Sequence, residues 1–205
     1  MNGAPWIIAT DLEGCLIPEI WINLAERTGI EELKLTTRDI PDYDELMQKR
    51  LGILDERGVT MKDLEEVISG MDPLPGAREY LNWIRDRVQL IILSDTFYEF
   101  ARPLMIKLGL PTLFCHTLEI DANHRIVNYK LRTVDGKRGA VRGFQDNGFR
   151  VISIGDSYND TTMLGQADHG ILFRAPDNVI KEFPQYPVFT EYADLRGKLE
   201  ELLAL

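Results

Sequence analysis

Short apolar runs punctuate this chain, and three of them stop at a residue capable of chemistry. Trp6-Ile7-Ile8-Ala9 ends at Thr10-Asp11, Leu90-Ile91-Ile92-Leu93 at Ser94-Asp95, and Val151-Ile152-Ser153-Ile154 at Gly155-Asp156. Gly170-Ile171-Leu172-Phe173 is a weaker fourth run. Runs of this kind, without alternation, are the pattern of strands buried on both faces. Helical stretches lie between them, at Ala77 to Arg87, Tyr98 to Leu108 and Arg138 to Asn147. The alternation predicts an α/β fold, a doubly wound parallel sheet with helices on both faces. In such sheets a ligand site lies beyond the carboxyl ends of the strands, where strand order reverses. One Ser or Asp there needs no more than a helix-capping role. Three strands that each deliver an acid or hydroxyl to the same edge predict a site.

Residues 18–73 break the alternation with helical patterns that contain no convincing strand. Pro18 can occupy the first turn of a helix that carries Ile20, Trp21, Leu24 and Ala25 toward one face. Asp42 and Glu45 have capping spacing ahead of Leu46, Met47, Leu51 and Leu54, and Thr60 and Asp63 form a capping box ahead of Leu64, Val67 and Ile68. Gly29 and Gly58 fall where helices should end. The expected organisation is a catalytic core of residues 1–17 and 74–205, with a helical cap at 18–73 inserted after the first strand. A polar hairpin is expected near His116 to Arg132, turning at Asp121-Ala122-Asn123-His124.

Composition narrows the partners. With 33 acidic against 23 basic residues the formal charge is -10, which repels nucleic acid and anionic membrane surfaces. A small phosphorylated molecule would be repelled too, unless a cation and local basic groups reverse the field at the site. Cys15 and Cys115 have no metal-ligand neighbours at CxxC spacing and are expected to be reduced. No basic leader precedes a long apolar run and no window approaches a membrane span, so a cytoplasmic protein is expected. Dinucleotide and P-loop fingerprints are missing. His116, His124 and His169 fall in no motif and are expected to be structural or surface residues.

Asp11-Leu12-Glu13-Gly14, then Ser94, then Lys137, then Gly155-Asp156-Ser157-Tyr158-Asn159-Asp160, in that order, resembles the haloacid dehalogenase superfamily. The resemblance implies an aspartate nucleophile at Asp11 that splits phosphomonoester cleavage into two steps through an acyl phosphate. It also implies Mg²⁺ held by Asp11, Asp156 and the backbone carbonyl of Glu13, with the Glu13 side chain as general acid and then base. The chemistry has to lower the barrier by roughly 20 kcal/mol or more, mostly through positioning and charge neutralisation. Lys137 would neutralise phosphate charge, with Lys130 and Arg138 as rivals, while Ser94 and the Asp95 amide would donate to phosphate. Asp160 either supports the metal ligands from behind or merely caps a helix. Most members have Asp followed by Gly-Thr or Gly-Ser where this chain has Glu13-Gly14-Cys15, a change that bears on how well water is activated.

Two residues of the expected cap bear on specificity. Arg50 would lie within an apolar helical stripe and needs an anion, either a structural carboxylate or a substrate carboxylate held in its fork. Glu19 either favours a helix dipole or binds a substrate ammonium group. With Pro18-Glu19-Ile20-Trp21, Thr37-Arg38-Asp39-Ile40-Pro41-Asp42-Tyr43 and Ser94-Asp95-Thr96-Phe97-Tyr98-Glu99-Phe100, the chain is similar to the phosphoserine phosphatases, most of all to their phosphoserine phosphatase/homoserine phosphotransferase (ThrH-type) branch. That similarity implies substrate contacts at Glu19, Arg50, Ser94, Asp95, Lys137 and Asn159, phosphoserine as substrate and homoserine as a second acceptor. The competing expectations are a phosphatase of another small phosphomonoester, and a phosphoaspartate signalling module without turnover.

Overall fold

The computed structural model describes residues 3–36, 39–40 and 42–204. Of the segment Thr37 to Tyr43, Thr37, Arg38 and Pro41 lie outside the described residues. Strand β1 (Trp6–Thr10) is followed by α1 (Ile20–Thr28), α2 (Tyr43–Glu56), α3 (Met61–Ser69) and α4 (Ala77–Arg85). Next come β2 (Gln89–Phe97), α5 (Tyr98–Lys107), β3 (Leu113–Ile120) and β4 (Ile126–Lys130). The remainder is α6 (Gly136–Asp146), β5 (Arg150–Gly155), α7 (Thr161–Gln166), β6 (His169–Phe173), α8 (Asp177–Glu182), β7 (Val188–Phe189) and α9 (Tyr192–Leu203).

The sheet order is β4-β3-β2-β1-β5-β6-β7, parallel except for the antiparallel β3–β4 hairpin. Strand β1 pairs with β2 on one side and β5 on the other, so the chain winds outward in both directions from it. The crevice therefore opens at the carboxyl end of β1, where Asp11 sits. Side chains alternate across the sheet. Ile8, Ile92, Ile152 and Ile154 pack in a large cluster with α1, α3, α4, α5 and α9. Ile7, Ala9, Ile91, Leu93 and Val151 pack on the other face with Val141 of α6 and Met163 of α7. Both faces are apolar, which is why the strands read as continuous runs rather than alternating ones.

Between β1 and β2 the described residues form helices and no strand, as the capping signals predict. Asp42 caps α2 by accepting from the Glu45 amide at 2.9 Å. Asp63 accepts from the Thr60 amide at 2.7 Å and its hydroxyl at 2.6 Å ahead of α3. Gly29 ends α1 in the left-handed region. Pro18 falls just outside α1, whose N-cap is Glu19. No helix is long and apolar enough to cross a membrane among the described residues. Both cysteines are free and buried.

Strand β2 runs on to Phe97 instead of stopping at Leu93. Leu93 pairs with Phe114 and Phe97 with His116, so four steps along β2 match two along β3. Ser94, Asp95 and Thr96 are thrown out of the ladder by this bulge, a device that re-aims side chains beside sites.

Candidate active site

Asp11 leaves β1 with its amide still bound to the Ile154 carbonyl of β5 at 2.9 Å, so its Cα is fixed by the sheet. The chain then turns through Gly14 at φ 74°, and a Cβ there would lie 2.5 Å from Asp156 Oδ2. Glycine is required twice over, for the positive φ and for the close approach of a carboxylate from β5. One carboxylate oxygen each of Asp11, Asp156 and Asp160 lie within 4.8 Å of one another.

Lys137, near the N-terminus of α6, enters this acidic cluster from behind. Its Nζ lies 2.9 Å from Asp11 Oδ1, 2.7 Å from Asp160 Oδ1 and 3.6 Å from Asp95 Oδ2. Burial opposes its charge, yet Asp11, Asp160 and Asp95 outweigh that penalty and hold the ammonium well above its usual pKa. The rivals point elsewhere: Lys130 pairs with Glu119 and Arg138 with Asp135 at the surface. Asp160 is fully buried, and its Oδ2 accepts from the amides of Asp156 (2.9 Å) and Ser157 (3.1 Å). It thus caps the turn and braces Asp156 with the same carboxylate.

One lysine does not balance these acids. Burial, then Asp160, raises Asp11 well above the ordinary carboxylate range. Burial, then the charges of Asp160 and Glu19, pushes Asp156 up to about 8. An all-oxygen donor set with this excess of negative charge suits a hard divalent cation. Asp160 has both oxygens committed and Asp11 Oδ1 faces Lys137, so Asp11 Oδ2 and Asp156 remain to hold an ion. The residues fit a metal site.

At the β2 bulge, Ser94 and Thr96 are buried, and Asp95 is held from three sides. Asn159 Nδ2 donates to its Oδ2 at 2.8 Å, Lys137 lies near the same oxygen, and His116 Nε2 lies 3.6 Å from Oδ1. Burial opposes ionisation of Asp95, but Lys137, His116 and Asn159 bring its pKa below the usual range. His116 is buried, accepts from the Arg132 amide at Nδ1 (3.1 Å), and packs against Tyr43 and Phe97. His116 is thus a buried structural residue, one of the two expected alternatives, and the β2–β3 register that sets it beside Phe97, invisible in local sequence, brings it to Asp95.

The opposite wall belongs to α1 and α2. Glu13 Oε2 accepts from the Ile20 amide at 2.8 Å, where α1 begins. Burial and the charge of Glu19 push Glu13 up to about 8. Arg50 is buried, with its Nη2 donating to the Leu35 carbonyl at 2.7 Å and its guanidinium 4.4 Å from the Trp21 ring centroid. No carboxylate reaches ion-pairing distance of Arg50 among the described residues, which removes the structural salt bridge as its explanation. Tyr43 reaches across from α2 to donate to the Asp95 carbonyl at 3.3 Å. A cleft of about 340 Å³ is lined by Asp11, Glu13, Glu19, Arg50, Ser94, Asp95, Lys137, Asp156 and Asn159. Trp21, Tyr43 and Thr96 also line it, and the motifs gave them no role. Asp160 alone of the ten nominated residues sits behind the wall.

Fold and cleft together define a sheet-edge site for phosphate chemistry, and sequence comparison agrees: the profile of the haloacid dehalogenase-like hydrolases matches residues 7–168. The chain belongs to that family. Over 190 residues it is 60% identical to the phosphoserine phosphatase ThrH of Pseudomonas aeruginosa, covering 93% of each chain. It is 58% identical to a phosphoserine phosphatase of Pseudomonas syringae pv. tomato, covering 93% of this chain and 80% of that one. A crystal structure of phosphoserine phosphatase in its apo form superposes with a TM-score of 0.76 at 21% identity, covering 97% of this chain and 98% of the other, which supports the fold.

Proposed function

We propose that this protein is a Mg²⁺-dependent phosphoserine phosphatase that works through a phosphoaspartate on Asp11 and can also pass the phosphoryl group to homoserine. One observation carries the reading: phosphate-directed groups and an unpaired guanidinium line opposite walls of a single cleft. Residues 1–17 and 74–205 would form the catalytic core and 18–73 the cap that reads the leaving group. A cytoplasmic location fits a small charged metabolite as substrate.

Asp11, Asp156 and the Glu13 backbone carbonyl would hold Mg²⁺, which when bound neutralises charge between the anionic nucleophile and its anionic target. Arg50 would take the substrate carboxylate in its fork and Glu19 the ammonium group. Lys137, Ser94 and the Asp95 amide would bind phosphate oxygens, with Asn159 keeping Asp95 in place. The Asp11 oxygen attacks phosphorus in line, the bond from phosphorus to the serine oxygen breaks, and that oxygen takes a proton from Glu13. Burial keeps Glu13 protonated near neutrality, as this step requires. Glu13, now a carboxylate, then deprotonates a water that attacks the acyl phosphate and frees Asp11. With Oε2 tied to the Ile20 amide, Glu13 offers one oxygen to the cleft. Any sluggishness in its activation of water leaves the phosphoenzyme open to another alcohol, which is the basis for homoserine as acceptor.

The test is phosphate release from phosphoserine with Mg²⁺, with and without homoserine, following free phosphate and phosphohomoserine together. Turnover of phosphoserine, with phosphate diverted to homoserine when it is present, is expected. Turnover of other phosphomonoesters in preference to phosphoserine would overturn the substrate assignment.

A further inference from the structure

Arg50 is an unusual cation. It is buried, and the Met47 sulfur at 3.8 Å from Nη1 and the Leu35 carbonyl are its hydrogen-bond partners among the described residues. Its Nε is buried and has no hydrogen-bond partner among the described residues. Desolvating a guanidinium in this way is costly unless something offsets it. A carboxylate would do so, but it would occupy the planar fork and cancel the charge that a ligand is to meet. An aromatic face does neither. It attracts the cation through the ring quadrupole and leaves its charge unneutralised.

Trp21 supplies that face. It is the second residue of α1, lines the cleft, and stands 4.4 Å from the Arg50 guanidinium. The indole is itself held edge-on against Phe100 of α5, with ring centroids 5.2 Å apart at 75°. Phe100 is fully buried, so the stack Phe100–Trp21–Arg50 runs from the packed core to the cleft. The plane of the guanidinium is therefore set by a ring that the core immobilises, not by the flexible arginine stem.

We propose that Trp21 is a specificity-determining positioning residue, whose indole face holds the Arg50 guanidinium in the orientation in which it meets the carboxylate of an α-amino acid phosphomonoester. The inference rests on the reading above, in which Arg50 binds that carboxylate. It adds the residue that makes the binding selective. Trp21 acts through Arg50, not on the reacting atoms.

The experiment is a double-mutant cycle on the full chain with Mg²⁺, comparing phosphoserine with phosphoethanolamine, which keeps the phosphate and ammonium but has no carboxylate. The quantity read is the ratio of kcat/KM for the two substrates. Trp21→Leu lowers the ratio by about tenfold, the scale of a desolvated cation–π contact, mainly through KM for phosphoserine. Trp21→Phe keeps a π face and loses less, and it serves if the leucine variant does not fold. In an Arg50→Met background, neither Trp21 variant changes the ratio further. An Arg50→Met ratio equal to wild type would overturn the carboxylate assignment and this proposal with it. A ratio lowered by Arg50→Met but untouched at Trp21, or lowered by Trp21 variants equally in both backgrounds, would overturn the role of Trp21 and leave the Arg50 assignment standing.

Discussion

Gly14 and Gly29 have nearly the same backbone, at φ 74° and 72°, yet a methyl group would do different things at each. At Gly29 a Cβ meets nothing within 4 Å, so alanine there faces only the left-handed penalty. Gly29→Ala should cost about 1–2 kcal/mol of stability, read by urea denaturation, with turnover kept. Gly14→Ala adds a collision with the Asp156 carboxylate, which must move away from Asp11. Displacing a catalytic group by about 1 Å costs on the order of a hundredfold in rate, so phosphatase activity should fall at least that far. Equal activity in the two variants would show that the approach of Asp156 to the Asp11 turn is unimportant.

At the scale of elements, local signals with a fixed spacing were legible and long-range pairings were not. The capping acids Asp42 and Asp63 announced α2 and α3 because a cap acts within three residues. Strands β1, β2 and β5 announced themselves because two-sided burial leaves an unbroken apolar run. Strand β3 carries His116, Thr117 and Glu119 and pairs on one side with a polar hairpin arm, so no such run marks it. The same cause hid His116 and the extension of β2 through Ser94 to Phe97. Trp21 read as one more apolar helix position, since nothing in the sequence says that its face will meet Arg50.

The Asp63 cap gives a prediction with a sign. Hydrogen bonds from the Thr60 side chain and amide hold its carboxyl below the usual value. A depressed folded-state pKa means that the contribution is present above the unfolded pKa of about 3.9 and fades as pH falls through the lower folded value. Asp63→Ala should therefore destabilise the protein by about 1 kcal/mol at neutral pH. Denaturation of the two proteins should begin to converge near about pH 4 and coincide only below the depressed folded-state pKa. A difference that stays constant with pH would assign the effect to helix propensity instead of the charged cap.

Across the whole molecule, a formal charge of -10 makes the site's local field decisive. Two buried acids and a half-buried one against one lysine leave the metal-free protein with unrelieved repulsion at the centre of its sheet edge. Divalent ion binding should relieve it. At a hundredfold excess over Kd, Mg²⁺ should stabilise the fold by about 2.7 kcal/mol. Thermal denaturation should then shift upward by roughly 5–10 °C, and EDTA should reverse it. Asp156→Asn should weaken the response, while a shift unchanged in that variant would place the ion elsewhere. The same geometry underlies the proposed function: the sheet brings Asp11, Asp156 and Lys137 to one point, facing helices that carry Glu19 and Arg50.

Trapping the phosphoenzyme decides whether Asp11 is the residue that bears phosphate. Protein mixed with radiolabelled phosphoserine and Mg²⁺, quenched in acid during turnover and digested, should carry label on the peptide that contains Asp11. Asp11→Asn should carry none. Sustained phosphate release with no label on that peptide, or label on another residue, would contradict the mechanism.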